Sequence, residues 1–182
     1  MGRAVRKKEV CEASLERTAI LDETGGYRYQ LGRRWQPAGK TVAFVMLNPS
    51  RADAAIDDPT LRACLQFAQR WNYAALSVVN LFAYRTPHPT ALKMAKDPVG
   101  KENDIYVSEA AELADKVVLA WGNWGGLYER DRAILSLLSP HKHKLTYLQL
   151  NRSGQPRHPL YIKRDRLLKP FPFDAAYPNG TH

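Results

Sequence analysis

Four short apolar runs, TVAFVML, AALSVVNLF, KVVLAW and KLTYLQL, recur between Thr41 and Leu150, each separated from the next by a stretch of helical spacing. A continuous apolar run of strand length marks a strand buried on both faces, which is the condition of a parallel sheet. Parallel neighbours cannot be joined by a tight turn, so each needs a crossover of about a dozen residues or more. The intervening segments supply them. Asp58 stands as a helix cap with Pro59 at the first helical position, and Leu61, Cys64, Leu65, Ala68 and Trp71 follow at helical spacing. Asp97-Pro98 opens a second predicted helix that runs to about Ala114, and Gly122 to Gly126 turn into a third, LYERDRAILSLL, which Pro140 closes. The order predicts an α/β fold: a three-layer sandwich whose central, mostly parallel four-stranded sheet carries helices on both faces. Upstream, TAILDETGGYRYQLGRRW predicts an N-terminal antiparallel hairpin turning at Gly25-Gly26.

A chain of 182 residues with 45% hydrophobic content is enough for one domain with its own core. The expected organisation is a basic N-terminal arm over 1–17, a single α/β domain over 18–169 and a C-terminal tail over 170–182. No apolar run approaches the roughly 20 residues of a membrane span, and the start of the chain is charged rather than signal-like, so cytoplasmic residence away from membranes is expected. Cys11 and Cys64 are too few for a disulfide framework or a cysteine-ligated cluster. The net charge of +9 favours an anionic partner, nucleic acid foremost, although general solubility is the alternative. Arg3, Arg6, Lys7 and Lys8 cluster at one end, and Arg152, Arg157, Lys163, Arg164, Arg166 and Lys169 at the other. No obligate protein partner is evident.

In open parallel sheets ligands bind beyond the carboxyl ends of the strands. Polar residues gather at those ends. The first strand ends in Asn48-Pro49-Ser50 and is followed by Asp53, Asp57 and Asp58; the second carries Asn80 and leads to Tyr84-Arg85. Trp121-Gly-Asn123 closes the third, and NRSGQPRHPLY, with Arg157 and His158, follows the fourth. Each has a plainer role open to it: Asn-Pro-Ser as a turn, Asp58 as a cap, His158 as a pre-proline loop residue, and the tryptophans as core. The amide of Asn80 within an apolar strand is harder to place, because a buried amide needs partners. His141-x-His143 lacks a third ligand at metal-site spacing, and no glycine-rich phosphate loop is present, so neither metal nor cofactor is expected.

On MLNPSRADAAIDDPT, VVNLFAYR, AWGNWG and GQPRHPLY, from about Tyr27 to Pro170, the chain resembles the bacterial domain-of-unknown-function 1643 family. More distantly, the order of those stations is similar to the uracil-DNA glycosylase superfamily: a Gly-x-Asn-Pro-Gly-like loop after the first parallel strand, a strand ending in Asn, and a His-Pro-Ser loop after the fourth. Met46 and Ser50 stand where the first loop's glycines would be, and Leu160 where the last serine would be. The distant resemblance implies a DNA glycosylase-like hydrolase without a metal. Asn48 and His158 would be catalytic and Asn80 would read the base. Pro49, Ser50, Asp53, Asp57, Arg85, Trp121, Asn123 and Arg157 would line the binding site. A module of the same fold that binds a modified base or nucleotide without cleaving it is the alternative.

Overall fold

The computed structural model describes residues 5–12, 15–50 and 52–176. Eight strands, β1 (Val5–Glu12), β2 (Leu15–Asp22), β3 (Arg28–Arg34), β4 (Thr41–Met46), β5 (Ala75–Asn80), β6 (Lys116–Leu119), β7 (Leu145–Tyr147) and β8 (Lys169–Pro170), form one sheet in the order β1-β2-β3-β5-β4-β6-β7-β8. The helices are α1 (Pro59–Arg70), α2 (Asn103–Leu113), α3 (Arg130–Leu137) and α4 (Phe173–Ala176).

The sheet is larger and more mixed than the four apolar runs predict. β5, β4, β6 and β7 are parallel neighbours, but β1–β2, β2–β3, β3–β5 and β7–β8 are antiparallel, so antiparallel pairings outnumber parallel ones. The hairpin is the reason: β3 pairs with the open edge of β5, from Leu31↔Val78 to Arg34↔Ala75, and so continues the sheet instead of standing apart from it. Residues 5–12, expected as an arm, are a strand paired with β2, and β2 already begins at Leu15, ahead of the expected boundary at 17. At the other end, β8 pairs with β7 and both Phe171 and Phe173 are buried, so the segment expected as a tail packs on the core as far as it is described. Arg3, the side chains of Arg6, Lys7, Lys8 and Cys11, and residues 177–182 lie outside the described residues.

Alternation along the strands sorts the core into two layers. Val42, Phe44 and Met46 of β4 face Leu61, Cys64, Phe67 and Ala68 of α1. Ala43 and Val45 face the opposite way, onto Val107, Ala110 and Ala111 of α2 and Ile134 and Leu135 of α3. α1 starts where its cap predicts, with Leu61 N–H donating to Asp58 Oδ1 at 2.8 Å and Pro59 in the first turn. α2 starts later than Asp97-Pro98, because the Asp97 carboxylate accepts instead from Gly100 N–H (3.0 Å) in a turn that needs the positive φ of Gly100 (+85°). α3 is also shorter than expected: Asn123–Glu129 is a 3-10 segment, broken by left-handed backbone at Tyr128 and Glu129.

The loop after β4 is tied to the hairpin by an arginine clamp. Arg33, 1% exposed, donates through Nε (3.0 Å) and Nη2 (2.7 Å) to Asp57 Oδ1, and Arg17 reaches the same oxygen at 3.0 Å. Removing that carboxylate leaves a buried guanidinium uncompensated, which costs about 3–5 kcal/mol in comparable sites. Asp57→Ala is therefore expected to lower the free energy of unfolding by that amount in urea titrations, with Asp57→Glu recovering part of it.

Candidate functional site

A cleft of about 610 Å³ opens where the carboxyl ends of β4, β5, β6 and β7 meet, against the start of α1. Its size is that of a small-molecule or nucleotide site. Apolar side chains such as Leu31, Leu61 and Val78 line one part of it, while Asn48, Asn80 and His158 bring polar groups to the same space.

Asn80 ends β5 directly beside Met46, the last residue of β4. Its side chain is 1% exposed, and neither Nδ2 nor Oδ1 has a hydrogen-bond partner among the described residues. The backbone behind it is held from the opposite face of the sheet. Asn103 Nδ2 of α2 donates to the carbonyls of Asn80 (2.9 Å) and Leu81 (3.0 Å), and Arg130 Nε of α3 donates to Leu81 O (2.8 Å) while its Nη2 pairs with Asp104. A firmly held main chain thus presents an unsatisfied amide. Leaving such a buried group unpaired costs on the order of 1–3 kcal/mol, which a ligand with matching donors and acceptors would relieve.

Asn48 uses its amide donor locally, giving hydrogen bonds to Pro49 O (3.0 Å) and Thr86 O (2.8 Å), so what it offers a ligand is its carbonyl oxygen. Ser50 Oγ donates to Asp58 Oδ2 at 3.3 Å, while Asp58 Oδ1 caps α1. Across the cleft, His158 precedes the 3-10 turn Pro159–Tyr161, and its Nδ1 accepts from Leu160 N–H at 3.3 Å. Burial pushes the imidazole pKa below its ordinary value, against a smaller upward pull from Asp58. At neutral pH the ring is therefore uncharged with its proton on Nε2, a donor for a ligand oxygen.

The loops after β6 and β7 are bound to each other. Trp121 Nε1 donates to Gln155 Oε1 (2.6 Å), Gln155 Nε2 donates to Asp131 Oδ2 (2.7 Å), and Asn123 Oδ1 accepts from both Asn151 Nδ2 and Ser153 Oγ at 2.8 Å. Gly125 lets the indole in, since a Cβ there would lie 2.1 Å from Trp121 Cδ1. Trp121 and Asn123 do line the cleft, but Trp121 Nε1 and Asn123 Oδ1 are committed to this joint. Arg157 lines the cleft, and its main-chain N–H donates to Gln149 O at 2.8 Å.

Four expected site residues lie elsewhere. Pro49 contributes only its carbonyl to the loop; Asp53 Oδ1 accepts from the N–H groups of Ala55 and Ile56; Asp57 forms the arginine clamp. Arg85 donates to Gly25 O (3.0 Å) and lines a second, more open depression beside the first. Asp58 is the carboxylate of that loop that reaches the cleft. Sequence reasoning missed Arg28 and Tyr161, which line it; Trp124, weighed there as a base-stacking aromatic against a core role, lines it too. Arg28 carries no local signal, because only the pairing of β3 with β5 brings it to the strand ends. Cys64 also reaches the cleft, but burial pushes its thiol far above the ordinary range, so it is not a nucleophile at neutral pH. Among the described residues no three His, Cys, Asp or Glu side chains gather as a metal site, and no helix is long and apolar enough to cross a membrane.

The profile of a family described as protein of unknown function (DUF1643) matches residues 28–160. The chain belongs to the DUF1643 family. No curated protein and no solved structure matches it. The DUF1643 match begins at Arg28 and ends at Leu160, both of which line the cleft, so the family's shared region holds every residue named as lining it except Tyr161.

Two measurements check this geometry. Asn80→Leu replaces an unsatisfied amide by an apolar group of similar size, and is expected to raise the unfolding free energy by about 1–2 kcal/mol in urea titrations. In an NMR titration His158 should show its inflection below pH 6.5. The unfolded chain then takes up this proton before the folded one, so stability present above pH 6.5 is lost as pH falls toward the folded value, and His158→Gln should flatten that part of the profile.

Proposed function

We propose that the cleft receives a nucleobase of a nucleic acid, DNA foremost, and that the protein is a metal-independent N-glycosylase-like hydrolase of a damaged or modified base. The observation that carries this is the unpartnered Asn80 amide at the cleft floor, which holds one donor and one acceptor ready for a polar edge. A base in a duplex must leave the stack to reach such a floor, where stacking and edge hydrogen bonds hold it. Trp124 and Tyr161 at the cleft provide aromatic surface, and the basic C-terminal cluster provides a track for phosphates.

In the proposed reaction the bond between the sugar carbon and the base nitrogen breaks, and its electron pair leaves with the base. Water supplies the new oxygen on the sugar carbon, and the water's proton ends on the base. His158 Nε2–H donates a hydrogen bond to an oxygen of the departing base, where negative charge develops. Asn48 Oδ1 accepts from the water and orients it without deprotonating it, leaving Asp58 as the cleft's carboxylate to take the water's proton first, before that proton passes to the departed base.

One observation favours a second reading, a module that binds the base without cleaving it: both Asp58 oxygens are already engaged, by Leu61 N–H and by Ser50 Oγ. The two are separated by incubating the protein with oligonucleotides carrying uracil, hypoxanthine, xanthine or bulky modified bases and scoring alkali-labile abasic sites. Glycosylase action predicts such sites, reduced by about 10²-fold or more in Asn48→Ala and His158→Ala. A binding module predicts none, with affinity that still falls steeply as salt rises.

A further inference from the structure

Arg28, the first residue of β3, lines the cleft with only 4% of its surface exposed. Its Nη1 donates to Ala52 O, and its Nε has no partner among the described residues. No carboxylate forms an ion pair with it among those residues, in contrast to Arg33, whose charge Asp57 meets at 2.7 Å. Burial pushes its pKa down to about 10, Asp58 opposes that shift, and Arg85 and Arg33 add to it, so the group remains a cation at neutral pH. Buried charges are ordinarily paired, and this one is left facing a cavity.

The other polar groups at the site sharpen what is missing. The Asn80 amide can turn either way, so alone it accepts an oxo or an amino edge equally. Neutral His158 donates, and a guanidinium only donates. The acceptor that would welcome an amine, Asp58, has both oxygens engaged. The site is rich in unmatched donors and holds a buried guanidinium with no ion-pair contact among the described residues.

We infer that Arg28 is a specificity residue for an anionic base, one whose ring is acidic, as in xanthine, or which carries a carboxylate substituent, as in a 5-carboxypyrimidine. This rests on the base-binding reading and names the class of base. The planar fork of Arg28 meets a carboxylate or a delocalised ring oxyanion with two N–H groups, supplying the charge pairing that the protein itself does not. A cavity of about 610 Å³ leaves room for a substituent beyond the ring.

The test measures the affinity of otherwise identical oligonucleotides carrying xanthine, hypoxanthine, 5-carboxycytosine, cytosine or an abasic site, at one salt concentration, so that the phosphate contribution cancels. The expected result is a preference of at least about tenfold for one or both anionic bases over their neutral counterparts, in line with a good bidentate contact. Arg28→Gln should weaken binding of the anionic bases more than of the neutral ones and so abolish the preference, and Arg28→Lys should keep part of it. Equal affinity for anionic and neutral bases in the native protein overturns the inference but leaves base binding standing, as does a preference that survives in a folded Arg28→Gln. If Arg28→Gln does not fold by thermal unfolding, the native comparison still decides. No base bound more tightly than the abasic site overturns the base-binding reading and this inference together.

Discussion

The parallel pairing of β4 with β5, unbroken from Thr41↔Ala75 to Met46↔Asn80, is the constraint on which the rest of the molecule depends. It brings two strands to an end at the same level, so that Asn80 stands beside Met46, two residues before Asn48. It also buries both faces of β4, which commits the chain to helices on each side: α1 on one, α2 and α3 on the other. β6 and β7 extend the same parallel direction, and their following loops close the space above the strand ends. A single register decision therefore places the core, the helices and the cleft.

Much of this was legible because it is local chemistry. The four apolar runs mark the four parallel strands, Asp58-Pro59 marks the start of α1, and Gly25-Gly26 marks the turn between β2 and β3. Asn80 stood out because an amide ending an apolar strand conflicts with its surroundings unless something meets it. What the sequence hides is non-local. Nothing near β3 says that it will take the edge of β5, so neither the size of the sheet nor the arrival of Arg28 at the cleft follows from pattern. Asp53, Asp57 and Asp58 look alike in a run of loop residues, yet one closes its own turn, one neutralises Arg33 and one caps a helix at the cleft. Their roles are set by which way the loop folds back, and that is decided by buried arginines at positions 28 and 33 in a different strand.

The N-terminal hairpin is consequently more than an edge to the sheet. Through Arg17 and Arg33 it fixes the loop that follows β4, and through Arg28 it contributes directly to the cleft wall. The loop and the hairpin hold each other: without Asp57 the buried Arg33 has no counter-charge, and without Arg33 the loop carrying Asn48, Ser50 and Asp58 loses its anchor.

The joint between the loops after β6 and β7 sets how the site can be entered. Gln155 is bound both to Trp121 and to Asp131, and Asn123 to both Asn151 and Ser153, so neither loop can swing without taking the other and straining α3. Such a double-latched rim behaves as a fixed doorway. Admission then falls to the small rotations of the side chains that stand in it, Trp124 and the exposed Tyr161, and the dimensions of the opening become a filter on the shape of whatever passes.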